Sequence, residues 1–368
     1  MSLPVVLGSL LLAGSLGAAV SLTEQTFHGR PAWILENGVM RVAVLEGGGH
    51  IAEVRQTTGD SRRDVNPMRI PHYPTIDPQT YVDARDNGRY GDDPHRWLSS
   101  GYMGHLLCFP FYGPPSSPEE VAAGLGNHGE APIVEWRKIS GSAEGDVVTL
   151  QYGAELPKTG YRVRRTLTMR SMLPWVQVEE WVENLLLVDR PVQWMQHATF
   201  GPPFVEPGKS LLRISATRGH RNGDLPAGES PSERLMPAET PGGSYTALLM
   251  DSARDYQFFT LTHREYPVTV GYLFAAAGNP WAADWQENQR ARQKPWDGKV
   301  VARGIEFGTS PYAEGLRRAV DRGSLFKTPA FRWIGARETL RTEFIIFLTE
   351  KRVRDARWVN QEVKIDED

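Results

Sequence analysis

Apolar and polar residues alternate with a period of two along much of this chain, the repeat of a strand with one buried face. The clearest case is Tyr161 to Met169. Tyr161, Val163, Leu167 and Met169 fall on one side, and Arg162, Arg164, Thr166 and Thr168 on the other. Val147 to Tyr152, Trp175 to Glu183, Val192 to Thr199, Ser244 to Met250, Gln257 to His263, Thr269 to Phe274 and Thr339 to Leu348 read the same way. Near the start, Trp33-Ile34-Leu35 and Met40 to Val44 flank Glu36-Asn37-Gly38-Val39. Asn-Gly between apolar runs predicts a hairpin. Gly47-Gly48-Gly49 and a short strand from Ile51 to Val54 follow. One short helix is predicted, Pro118 to Ala123, with proline at its start and Gly124 and Gly126 beyond its end.

Many short strands with very little helix predict an all-β fold, and at this length one large antiparallel β-sandwich is the economical form. The 36 glycines and 27 prolines supply the turns such a fold needs. The predicted organisation is a single β-sandwich domain over residues 21–350 and a charged, peripheral tail over 351–368. Residues 59–100 are polar and aperiodic, and residues 220–243 are rich in Pro, Gly and Glu. Both read as long loops, the first placed to line or cover a site. Residues 1–20 are almost wholly apolar or small, ending in Gly17-Ala18-Ala19 before Val20. They read as an export signal, which puts the mature chain in the periplasm or outside the cell. Read instead as an N-terminal strand, they leave it in the cytoplasm. No other segment is apolar and long enough to span a membrane.

Charge and cysteine content narrow the function classes. The net charge of −3 leaves no basic stripe for a nucleic acid backbone. The single cysteine, Cys108, excludes an intrachain disulfide and a cysteine-held metal. It lies in the apolar run Leu106-Leu107-Cys108-Phe109 and reads as a buried thiol.

Three residues stand in company that suits chemistry. His128 lies in Gly126-Asn127-His128-Gly129-Glu130, where glycines let backbone approach a ligand. His197 ends a predicted strand before the rigid turn Gly201-Pro202-Pro203. Glu306 lies between Ile305 and Phe307, framed by Gly304 and Gly308. A carboxyl buried there would have a raised pKa and suit base catalysis. Taken singly, each also reads as a loop, core or surface residue.

As an ordered set these motifs resemble the aldose 1-epimerase (galactose mutarotase-like) family. The resemblance rests on His128-Gly129, on His197 at a mid-chain strand end, and on Gly304-Ile305-Glu306 with Pro311. Leu35-Glu36-Asn37-Gly38 with Gly47-Gly48-Gly49-His50-Ile51 is similar to the family's opening strands, so the likeness spans roughly residues 33 to 350. It implies the family's supersandwich and an isomerase without metal or organic cofactor, acting on a mono- or oligosaccharide. By the same resemblance, Glu306 would be the base on the anomeric hydroxyl, His197 the acid on the ring oxygen, and His128 a positioning residue.

The family's sugar-gripping aspartate and upstream arginine have no secure match. Asp284 stands in for the first ahead of Asp251, and Arg96 or Arg89 for the second. The candidate sugar-binding set is Trp285, Asp284, Asn288, Arg303, Arg96 and His105. Trp281, Trp285 and Trp296 offer rings for the apolar face of a sugar. Two other readings stay open: a non-catalytic carbohydrate-binding module on the same fold, and a cupin-type metal site of His105, His128, His197 and Glu306. The chain lacks the close His-x-His spacing common in such barrels.

Overall fold

In the computed structural model, which describes residues 20–368, the Asn37-Gly38 turn joins strands Arg30–Glu36 and Met40–Leu45. Gly38 takes φ 92°, and the Asn37 carboxamide oxygen accepts from the Met40 N–H. The hairpin lies within a ten-stranded sheet. Its order is Ser21–Phe27, Arg30–Glu36, Met40–Leu45, Ile51–Gln56, His105–Cys108, Met195–Phe200, Val301–Gly308, Trp281–Asn288, Gly242–Met250 and Ala216–His220. A nine-stranded sheet packs against it, in the order Glu233–Leu235, Ser210–Ile214, Tyr256–His263, Thr269–Ala275, Thr339–Thr349, Trp175–Asn184, Tyr161–Arg170, Val147–Leu156 and Arg137–Glu144. Neighbouring strands run antiparallel throughout, and the main core fills the space between the sheets. The fold is therefore the large antiparallel sandwich expected from the alternation. The expected export signal falls, apart from Val20, outside the described residues.

Three segments differ from expectation. Within 59–100, residues Asp83–Tyr90 and Arg96–Gly101 form short helices. Their polarity hid them, since only Tyr90 and Leu98 among their large apolar residues are buried. Within 220–243, Glu233–Leu235 forms an edge strand. The charged end of the chain, expected as a peripheral tail, makes the hairpin Val353–Val359 with Glu362–Glu367. Val353 and Ala356 are buried against Trp175, Phe258, Leu273, Ile345 and Phe347 on the outer face of the nine-stranded sheet. Short side chains at those two positions carried too little periodicity to be read.

Polar ties cross the sandwich interior. Arg165 lies between Val163 and Leu167 on the inward face and pairs with Glu180 on the next strand, both fully buried. Across the gap, Gln196 accepts from Arg165 Nη2 at 2.8 Å and donates to Glu180 Oε1 at 2.6 Å. Trp194 Nε1–H donates to the same carboxylate oxygen at 2.5 Å. Removing one partner would strand a buried charge, which typically costs about 3–5 kcal/mol. Glu180→Ala is therefore expected to destabilise the fold by about that much in urea unfolding, and Arg165→Met with Glu180→Leu by clearly less. A single variant as stable as the parent would contradict the tie.

Buried histidines set a second expectation. Burial pushes His50 down to about 3, and pushes His105 well below the usual imidazole value. The unfolded chain takes up these protons near pH 6.5, whereas the folded chain does not. Stability from these groups is present above pH 6.5 and is lost as pH falls toward 3. The urea midpoint should fall between pH 7.5 and 5.0, and His50→Gln should lessen that fall.

Candidate functional site

Strand parity builds the site on the outer face of the ten-stranded sheet. Along Met195–Phe200, Gln196, Ala198 and Phe200 turn into the sandwich, and His197 and Thr199 turn out. Along Val301–Gly308, Ile305 and Phe307 turn in, and Gly304 and Glu306 turn out. The strands pair with His197 opposite Glu306, so the two side chains meet. His197 Nε2 lies 3.0 Å from Glu306 Oε1. His197 Nδ1 is 2.8 Å from Thr199 Oγ1 and 3.3 Å from the Tyr102 hydroxyl, and those two oxygens are 2.5 Å apart. Both ring nitrogens of His197 are thus engaged, which fixes its plane.

The pair opens on a cavity of about 280 Å³. Its walls include Ser99, Tyr102, Asn127, His128, Tyr245, Trp285, Glu287, Arg290, Gln293 and Trp296. The helix Arg96–Gly101 and the loop after Asn288 cover the sheet at this point. The segment expected to line or cover a site therefore contributes His95, Leu98 and Ser99 to its wall. A volume of this size has room for a ligand as small as one sugar ring. Trp285 and Trp296 stand 6.0 Å apart at their ring centres. Gly304 makes room for the first: a Cβ there would come 2.9 Å from the Trp285 ring and 2.8 Å from Glu306 Oε1.

His128 is held by its loop. It takes φ 66°, stacks on Tyr112 and meets the His197 ring edge-on at 5.0 Å. Its Nδ1 accepts from the Gly113 N–H at 3.1 Å. Neutral His128 therefore carries its proton on Nε2, as a donor.

Burial dominates the electrostatics. It pushes the Glu306 carboxyl well above the usual carboxylate range, and among the described residues Glu306 Oε2 has no hydrogen-bond partner. It pushes His197 down to about 3, and His128 well below the ordinary imidazole value with the neighbouring His197 adding to the effect. Although the contact satisfies the distance of an ion pair, both shifts favour the neutral form of each partner. A neutral pair sharing one proton is the state that both directions favour.

The structure brings together Glu306, His197, His128 and Trp285 around one cavity. It does not bring the other candidates there. Asp284 and Arg303 turn inward and satisfy one another at 2.9 Å, with Arg234 on the second Asp284 oxygen at 2.8 Å. Asn288, also inward, donates to the Glu239 carbonyl and to Thr240 Oγ1. His105 lies inside the sandwich between Tyr272 and Gln196, so the four-residue metal set does not assemble. Arg96 stacks on Trp97 and pairs with Asp83, and Arg89 is exposed on its helix. Trp281 is covered, its N–H given to the Pro329 carbonyl. For the strand residues the reason is the same: Trp285 and Glu287 occupy outward positions, and Asp284, Gln286 and Asn288 inward ones.

Sequence reasoning missed Tyr102, Thr199, Glu287 and Arg290. Thr199 was accessible, being two residues after His197 and so on its face. The buried arginine beside this wall is Arg69, whose guanidinium lies 4.6 Å from the Tyr102 ring and bonds the Tyr102 carbonyl at 2.5 Å. Among the described residues no group of three or more His, Cys, Asp or Glu has metal-binding geometry. No described helix is long and apolar enough to cross a membrane.

No family model and no curated protein matches the chain. Solved structures do. A galactose mutarotase-like protein from Clostridium acetobutylicum is 12% identical with TM-score 0.60, over 90% of this chain and 98% of that one. A candidate aldose 1-epimerase from Klebsiella pneumoniae subsp. pneumoniae MGH 78578 is 13% identical with TM-score 0.59, over 88% and 81%. A galactose mutarotase related enzyme from Lactobacillus acidophilus is 11% identical with TM-score 0.53, over 86% and 97%. At such identities the likeness is one of fold, and the fold of this chain is a galactose mutarotase-like β-sandwich.

Proposed function

We propose that the protein is an aldose 1-epimerase, interconverting the anomers of a free sugar by acid/base ring opening. The observation that carries this reading is the Glu306–His197 contact inside a sugar-sized cavity with Trp285 in its wall. Ring opening removes a proton from the anomeric hydroxyl and delivers one to the ring oxygen. Both oxygens are bonded to the same carbon, so acid and base must stand side by side.

The pair holds one labile proton. Moving it from Glu306 to His197 Nε2 gives a carboxylate and an imidazolium with no change in net charge. The carboxylate takes the anomeric proton as the bond between C1 and the ring oxygen breaks. The imidazolium protonates the ring oxygen as the aldehyde forms. Rotation about the bond from C1 to C2 presents the other aldehyde face, and the same transfers in reverse close the ring. The pair ends as it began, so only proton transfers are needed. In this reading His128 Nε2–H donates to a sugar oxygen, and Trp285 stacks on the apolar ring face.

Glu306→Gln is expected to lower kcat for anomer interconversion by about 10²–10⁴-fold, measured by polarimetry on a panel of aldoses. It should also raise stability at neutral pH. A carboxyl with a raised folded-state pKa contributes stability below its unfolded pKa that is lost as pH rises through the folded value, and glutamine does not titrate. Full activity in the variant would refute the role of Glu306. Binding by the parent with no acceleration of any aldose would favour a binding module instead.

The pH profile is a separate test. With His197 pushed down to about 3 and Glu306 pushed well above the usual carboxylate range, both directions favour the single-proton pair. After subtraction of the uncatalysed rate, kcat/KM should show no acid limb near pH 6.5 and should fall on the alkaline side as the pair loses its proton. An acid limb centred near 6.5, the ordinary imidazole value, would contradict the neutral pair.

A further inference from the structure

One carboxylate in the cavity wall takes no part in the proton transfers. Glu287 lies two residues beyond Trp285 on the same outward face, is only 2% exposed, and lines the cavity. Its Oε1 accepts from the backbone N–H groups of Arg290 at 2.5 Å and Ala291 at 2.9 Å. That anchoring fixes the carboxylate. Among the described residues its Oε2 accepts no hydrogen bond, and it is not sealed from the cavity. Arg290 Nε stands 3.8 Å from this oxygen, too far for a hydrogen bond, and the Arg290 side chain is 59% exposed while lining the same cavity. The guanidinium reaches there past Gly243, where a Cβ would come 3.3 Å from Arg290 Cζ.

The geometry points to Glu287 and Arg290 as a clamp for two adjacent hydroxyls of a sugar ring, remote from the anomeric carbon. A rigid carboxylate oxygen accepts a hydrogen bond from one hydroxyl. The neighbouring guanidinium, unsatisfied by that carboxylate, donates to the next. Each hydroxyl can act both ways, so a vicinal pair satisfies both groups at once. Glu287 stands about two strand residues from Trp285, whereas Glu306 and His197 lie at the other end of the wall. The clamp therefore selects the stereochemistry of ring hydroxyls and not the anomer. This inference rests on the aldose reading of the site but concerns binding, so it can be tested apart from catalysis.

The test is a double-mutant cycle between protein and ligand. The probes are D-glucose and D-galactose, with their 2-, 3-, 4- and 6-deoxy forms. Kd is measured by calorimetry for the parent, Glu287→Gln and Arg290→Met, with KM and kcat taken wherever turnover occurs. Glu287→Gln keeps an Oε1 that accepts from both backbone amides and replaces only the free oxygen, so the loop keeps its anchor. For the parent, loss of either of two adjacent hydroxyls should weaken binding by about 10-fold or more, as expected for a bond to a charged group. In Glu287→Gln the deoxy sugar at one of those positions should bind no worse than the full sugar, and in Arg290→Met the same should hold at the neighbouring position. Where turnover occurs, KM should rise and kcat stay within about two-fold, as for uniform binding.

If both variants weaken every sugar equally, with no coupling to any hydroxyl, the groups only shape the loop and the clamp is refuted. Turnover by the parent together with that result leaves the epimerase reading standing. Sugar binding without turnover removes the catalytic reading, and the Kd cycle alone decides the clamp. If none of the probes binds, both fall.

Discussion

The buried tie between Arg165, Glu180 and Gln196 fixes which way the central strands face, and the site depends on that choice. Gln196 is held inside the sandwich by a guanidinium and a carboxylate from the opposite sheet. In a strand, its neighbour must then point outward. That neighbour is His197. A slip of one residue would bury His197 between the sheets and push the amide of Gln196 into the cavity. It would also break the cross-strand pairing with Glu306. The second tie, Asp284 with Arg303 and Arg234, does the same for the two strands beyond, holding Trp285, Glu287 and Glu306 outward. Polar groups that look fit for ligand binding thus act as register pins.

With the faces set, the covering segments decide the electrostatics. The outer face of a sheet would ordinarily meet water, and Glu306 and His197 would titrate near their ordinary values. Here Leu98, Tyr102 and Trp296 lie over it, and the loss of solvent pushes the carboxyl up and the imidazole down. Tyr102 links the two effects. Its hydroxyl shares Thr199 Oγ1 with His197 Nδ1, and its backbone carbonyl and ring face are held by Arg69. Cover and the geometry of the pair are therefore one structure, so loosening the cover would both wet the pair and free the imidazole.

The period-two alternation made most of the fold legible, because long strands with one buried face leave a direct trace in the sequence. Where the trace failed, the cause is specific. Arg137–Glu144 is an edge strand with nearly every residue exposed, so nothing alternates. Trp281–Asn288 is buried on both faces, so its polar residues gave no sign of direction. That is why Asp284 was assigned to the sugar and Glu287 passed over, although they differ only in parity. A charge in a strand buried on both sides says that a partner exists, not whether the partner is a ligand or an arginine of the same chain. Glu306 was read through glycines and a family likeness, and the space at Gly304 gives a physical reason for one of those glycines.

The unsatisfied Glu306 Oε2 connects stability to protonation. A buried carboxyl with one oxygen unbonded is a cost to the fold, since water that would solvate it is excluded. Protonation lessens the cost, and this is what a raised pKa expresses. That oxygen is sealed as well as unbonded, so the relief comes from protonation and not from a group in the cavity. The neutral pair is therefore a property of the fold, set by the same cover that shapes the cavity. The burial that raises the carboxyl's pKa is thus also a cost in stability, and wetting Glu306 would relieve that cost and lower the pKa together.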